Sequence, residues 1–151
     1  MSTLHTNDAP SSVTRLINIG VEPYLIGSAV NATLAQRLVR KICTHCKTPE
    51  KPDPQVAKHL NIQGLSLKQV WKGMGCDRCR NTGYSGRLGL FELLILDDTL
   101  RDKIVANPNV TEFRRVCVER GMKTLRADGF EKVSQGLTTV DEVLRVTQST
   151  I

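Results

Sequence analysis

Cys43-Thr44-His45-Cys46 and Cys76-Asp77-Arg78-Cys79 are two CxxC turns within one chain of 151 residues. Each turn sets two thiols side by side, and two such turns facing one another supply the four sulfur ligands that tetrahedral zinc takes. The pair is read here as a single four-cysteine metal site. The stretch from Cys46 to Cys76 exceeds the usual ribbon spacing, but closure entropy rises only logarithmically with loop length. Two disulfides, or two pairs of buried reduced thiols, are the competing readings. Against disulfides, a fifth cysteine, Cys117, is left over, and the opening MSTLHTNDAP has no basic start followed by an apolar run that would direct the chain to an oxidising compartment. The sequence therefore points to the cytoplasm.

Four thiolates around one zinc ion leave a formal charge of about −2 that the fold must offset. Lys41, Lys47, Arg78, Arg80 and Arg87 lie beside the two turns and are candidates to offset it or to donate hydrogen bonds to sulfur. With Cys43, Cys46, Cys76 and Cys79 filling the coordination sphere, no position stays open for water or substrate, so the predicted metal is structural and not catalytic. His45, inside the first turn, competes as a ligand only if a cysteine is missing; a solvated turn histidine is the simpler reading.

Composition is that of a globular protein, with 40% hydrophobic and 24% charged residues. No apolar run approaches the ~20 residues that span a bilayer. The net charge of +6 invites a nucleic-acid reading, but 4% aromatics offers few stacking platforms for bases. A basic surface on a piece of a larger assembly accounts for the charge equally well.

Along the chain, Ser2 to Asn7 is short and β-compatible. Asp8 can then cap a helix whose first turn tolerates Pro10 and which Gly20 ends. A second helix is predicted from Pro23 through to Ile42, apolar on more than one stripe and so buried on much of its surface. On this reading the chain has little sheet for these helices to pack on. Thr48 to Gln69 is a polar insert in which Asp53 and Pro54 open a short helix. Val70 to Met74 is expected to pair with Leu88 to Leu93 as a hairpin around the metal, with Asn81 to Gly86 a tight glycine-rich turn between them. Four more helices are expected: one capped by Asp97 or Asp98 and stopping at Asn107-Pro108, one ending at Gly121, one from Thr124 or Leu125 to Gly136, and one opening on the capping-box pattern Thr139-Val140-Asp141-Glu142. Cys117 falls on an apolar face as a core residue.

The chemistry that is missing is informative too. There is no GxxxxGK(S/T) phosphate loop, no GxSxG and no HExxH. A CxxC oxidoreductase would want a thioredoxin-like βαβ context, and none is seen. Alone, the chain does not read as an enzyme.

Several blocks together resemble one family, the ATPases that power type II secretion and their relatives that drive type IV pilus assembly. They are STLHTNDAPSSVTRLINIGVEP, AQRLVRKIC, the paired CxxC, GYSGRLGLFELL, GMKTLRADGF and EKVSQGLTTVDEVLRVT, in order from residue 2 to about residue 147. The CxxC pair resembles the secretion and pilus-extension members more than the retraction motors. The resemblance implies a C-terminal fragment of a hexameric cytoplasmic ATPase, with Met1 standing where a longer chain continues backward. It implies that residues 1–42 close a RecA-like core, that 43–96 form a zinc-binding insert with a β-hairpin, and that 97–151 form a helical bundle, in all a mainly α chain with a small β part (α+β). ATP and Mg2+ would belong to the full-length parent, in which His5 of the HTN triplet would sit near the γ-phosphate. Implied partners are other subunits of a homohexamer and the inner-membrane platform and cytoplasmic-linker proteins, which would hold the motor peripherally at the inner membrane. Arg78, Arg80 and Arg87 would face such a partner or acidic lipids. The alternative is a free-standing zinc-ribbon that binds nucleic acid. The predicted helix from Pro23 to Ile42 and the scarcity of aromatics speak against it.

Overall fold

A computed structural model describes residues 1–106 and 108–147. Asn107, half of the predicted Asn107-Pro108 helix stop, and the last four positions of the predicted 97–151 segment lie outside the described residues. Among the described residues the chain is α+β, with seven α-helices and four strands forming two two-stranded sheets. It divides into two compact units: Met1–Gln36 with Phe91–Leu125, and Arg37–Leu90 with Arg126–Ile151.

The first unit opens without regular structure from Met1 to Thr6, so the β-compatible start forms no strand. Helix α1 (Ala9–Asn18) begins where its capping residues place it: Asp8 accepts the Ser11 N–H and Pro10 sits in the first turn. Helix α2 is only seven residues, Pro23–Ala29. After it the chain extends into strand β1 (Ala32–Ile42), which corrects the predicted helix from Pro23 to Ile42. Strand β4 (Tyr84–Ile95) pairs with β1. Helices α4 (Asp98–Val105), capped by Asp97, and α5 (Val110–Glu119), capped by Asn109, complete this unit. Val13, Ile26, Leu94, Leu100, Ile104, Phe113 and Cys117 are its buried core. Arg101 on α4 donates to the carbonyls of Gly27 and Val30, tying α4 to the end of α2 where four carbonyls lack intrahelical partners.

The second unit contains strand β2 (Lys47–Glu50), helix α3 (Pro54–Ile62) with Asp53 as its cap, and strand β3 (Val70–Gly73). Strand β3 pairs antiparallel with β2, in the register Lys47 to Gly73 and Glu50 to Val70. This corrects the expected hairpin: Leu88 to Leu93 lies in β4 beside β1 and does not pair with Val70 to Met74. Helix α6 (Leu125–Ser134) and helix α7 (Val140–Val146) come last. They pack closely through Gly129, where a Cβ would stand 2.6 Å from a Val143 methyl. Val39, Ile42, Leu60, Leu90, Phe130, Val133 and Val143 form the core of this unit.

Candidate metal centre

Cys43 comes directly after the last residue of β1, and Cys46 precedes β2 across the turn Thr44-His45. On the other side, β3 leads through Met74 and Gly75 into a single 3-10 turn, Asp77–Cys79, which β4 then leaves. Pairing of β2 with β3 brings the two turns together, and the Met74 N–H extends that ladder to the Cys46 carbonyl at 3.1 Å. All four sulfurs thereby come within 4.8 Å of one another. Cys43 to Cys76 and Cys46 to Cys79 are each 3.8 Å, and Cys76 to Cys79 is 3.7 Å. Four sulfurs at about 2.3 Å from a common centre would be spaced about 3.8 Å apart along each edge of a tetrahedron. The spacing is also far beyond the ~2.05 Å of a disulfide, and all five cysteines are free thiols. The cluster can hold one metal ion.

Hydrogen bonds to the sulfurs come from the backbone. Gly75 N–H reaches Cys46 Sγ at 3.3 Å, while Cys76 N–H and Gly83 N–H both reach Cys79 Sγ at 3.2 Å. Donors of this kind favour thiolate over thiol and orient it. Burial pushes the Cys79 thiol up, but the Cys76 and Gly83 amides and the neighbouring thiols pull it down to about 6. Cys46 goes the other way, to about 11, because burial and the three neighbouring sulfurs outweigh its one amide donor. A sulfur cluster shares its first negative charge and resists its last; a cation at its centre removes that resistance.

The basic side chains expected to donate to sulfur do not do so among the described residues. Arg78 is 3.2 Å from His45 Nε2, at the surface, and Lys47 lies over the Trp71 ring at 4.7 Å. His45 is exposed, as a turn histidine. His5 is exposed in the irregular start of the first unit, and Cys117 is buried in that unit's core.

Two features lie beyond what the sequence motifs point to. Gly73 and Gly83 meet backbone to backbone beside the sulfurs: a Cβ on Gly73 would stand 2.0 Å from the Gly83 carbonyl oxygen. Gly83 in turn accepts the Cys43 N–H at 2.9 Å. The one signal for this in the sequence is the glycines flanking the second CxxC turn. The other feature is a buried ion cluster. Glu142, 2% exposed, accepts from Arg40 Nη2 and from Arg145 Nη2, each at 2.8 Å, and from the Arg40 backbone N–H. Arg40 also lies 4.2 Å over the Tyr84 ring, whose hydroxyl is 2.8 Å from Thr139 Oγ1. Despite burial, the two guanidinium groups hold Glu142 at about 2, well below the usual carboxylate range. Thr139 does cap α7, but Glu142 faces the arginines, so only half of the predicted capping box forms.

Residues 1–145 match the family described as type II/IV secretion system protein. The chain belongs to that family. It is 48% identical to the type IV pilus assembly ATPase PilB of Thermus thermophilus over 95% of this chain and 16% of that protein. It is 40% identical to the type II secretion system ATPase E of Vibrio cholerae over 98% of this chain and 29% of that one. The chain thus spans less than a third of the length of these two secretion-family relatives. In fold it is similar to the crystal structure of the pilus retraction motor PilT with bound ADP, at TM-score 0.60 and 19% identity, over 97% of this chain and 32% of that one. No helix among the described residues of this secretion-family chain is long and apolar enough to cross a membrane.

Proposed function

We propose that the chain is the C-terminal, metal-centred region of a hexameric ATPase that powers type II secretion through pseudopilus assembly, with type IV pilus assembly as the sister role. The single observation that carries this reading is the match to ATPases of both systems along nearly the whole chain. In this reading residues 1–42 end a RecA-like core, 43–96 are a zinc-bearing insert, and 97–151 are a helical subdomain. Cys43, Cys46, Cys76 and Cys79 would hold one zinc ion, supported by sulfur spacings that suit tetrahedral coordination. When bound, the ion cross-links two turns and leaves no site for substrate. Catalysis belongs to the complete motor with ATP and Mg2+, where His5 would reach the γ-phosphate. Leu34, Leu93 and Ile95 of the first unit are large apolar residues left exposed at 62%, 50% and 65%.

Partners would be neighbouring subunits, the inner-membrane platform and a cytoplasmic linker, holding a cytoplasmic motor against the membrane. Charge supports a docking role for the metal-bearing unit. It carries 14 basic and 7 acidic residues, a net charge of +7, against 7 and 8, a net charge of −1, in the other unit. Arg78, Arg80 and Arg87 are all exposed. Charge reversal at Arg78 and Arg80 in the complete motor is predicted to reduce secretion or piliation; an unchanged output refutes the docking role. The nucleic-acid reading is not favoured, because the family match supplies a different context for the same cysteines.

The test is a graft. The chain replaces the matching segment of Thermus thermophilus PilB, and ATP hydrolysis by the purified motor is measured. Retained hydrolysis that is lost with His5→Ala supports the proposal. A folded, assembled graft whose hydrolysis is indifferent to His5→Ala rejects the role given to His5.

A further inference from the structure

Glu92 is the buried carboxylate of the first unit, 3% exposed on β4. Its Oε1 accepts the Ala9 N–H at 2.9 Å and its Oε2 accepts the Leu125 N–H at 2.8 Å. These two amides belong to the first residues of α1 and α6. Amides at a helix start have no carbonyl partner within their own helix and lie at its positive end. One side chain therefore satisfies two helix starts at once, and both of its oxygens are used.

The start of α1 is fixed from a second side. Arg114 on α5 donates Nε to Asp8 at 2.7 Å and Nη2 to Ser11 Oγ at 3.1 Å, while Asp8 caps the Ser11 amide at 2.9 Å. Thr6 Oγ1 donates back to the Asp8 carbonyl at 3.1 Å. Just before these contacts lie His5, Thr6 and Asn7, outside any helix or strand. That segment joins the packed fold at Asp8 and Ala9, so its direction is set by how those two residues are held.

We propose that Glu92 is a positioning residue for His5: it fixes the point where the His5 to Asn7 segment enters α1 and makes that point move together with the start of α6. The proposal rests on the γ-phosphate role given to His5 above. Glu92→Gln keeps the shape but replaces one acceptor oxygen with an NH2 group that faces an N–H, so one of the two helix starts loses its partner. Glu92→Asp keeps both oxygens on a shorter arm.

The experiment is a double-mutant cycle between Glu92→Gln and His5→Ala in the PilB graft, reading kcat and KM for ATP. Misplacement of a reacting group by about 1 Å costs up to about a hundredfold in rate. Glu92→Gln is therefore expected to lower kcat by about tenfold or more, to leave KM for ATP within about twofold, and to have little further effect once His5 is alanine. Glu92→Asp is expected to recover part of the loss. A kcat loss of the same size in both backgrounds, or none at all, overturns the proposal while leaving the His5 role intact. A graft in which His5→Ala alone changes nothing removes both. If Glu92→Gln does not assemble, Arg114→Gln loosens the same attachment from the other side. It is expected to show the same coupling to His5, and additivity there overturns the proposal equally.

Discussion

Gly73 and Gly83 set the tolerance of the four-cysteine cluster. A methyl group on Gly73 meets backbone at 2.0 Å, and backbone cannot rotate aside as a side chain can. Gly83, the group it would displace, both donates to Cys79 Sγ and accepts from the Cys43 amide. Gly73→Ala is predicted to destabilise the metal-bearing unit by about 3 kcal/mol, the upper range for overpacking, and to speed metal release to a chromogenic chelator. Gly27→Ala, where the nearest atom to a new Cβ is a Val105 methyl at 3.4 Å, should leave metal release unchanged. Glu142 gives a pH prediction. Its carboxylate form is the one the folded unit favours, so its contribution is complete above the ordinary value of 4.5 and is lost as pH falls toward about 2. The two arginines are about half exposed, which screens the pair, and the contribution is set at about 2 kcal/mol. Glu142→Gln should lower stability at neutral pH and flatten its dependence between pH 4.5 and 2 in thermal melts. An unchanged slope would show that other carboxylates govern acid unfolding.

At the scale of elements, helix starts are legible in the sequence, as are strand β3 and the Leu88 to Leu93 part of β4, whereas β1, β2 and the pairing of the strands are not. Asp8, Asp53 and Asp97 cap α1, α3 and α4 as the sequence predicts, because an N-cap is a local bond between one side chain and an amide three residues on. Strand β1 reads as helix because Ala35, Leu38, Val39 and Ile42 recur at helical spacing in a run of good helix formers. Val39 is fully buried, whereas Leu34 and Leu38 are exposed apolar residues on the strand. Apolar side chains on the outer face break the alternation that identifies a half-buried strand. The partner of β3 is hidden for a different reason. Pairing depends on which turns meet, and β2 comes after one CxxC turn while β3 precedes the other. The site is thus readable as four cysteines, but its amide donors are not, since any residue can donate a backbone N–H. Removing metal should loosen this region first. Structural zinc contributes on the order of 10 kcal/mol of apparent binding energy in small modules, and the four-residue strands β2 and β3 have little else to hold them. After chelation, limited proteolysis is predicted to cut between residues 43 and 90 while far-UV circular dichroism retains most of its helical signal. Loss of all helix on chelation would mean that the metal holds both units.

For the whole molecule, family and charge distribution are consistent with the role proposed above. The resemblance seen in the HTN triplet, the CxxC pair and the C-terminal blocks is matched by a family comparison over residues 1–145. Of the two compact units, one carries the four-cysteine cluster and the excess positive charge and the other is near neutral. Everything proposed for the basic unit depends on the four cysteines acting as one structural centre. The direct measurement is zinc content together with X-ray absorption at the zinc edge, on protein purified without chelators. One zinc per chain with four sulfur neighbours at about 2.3 Å is predicted. Protein free of metal, or zinc bound through nitrogen or oxygen, would contradict the account.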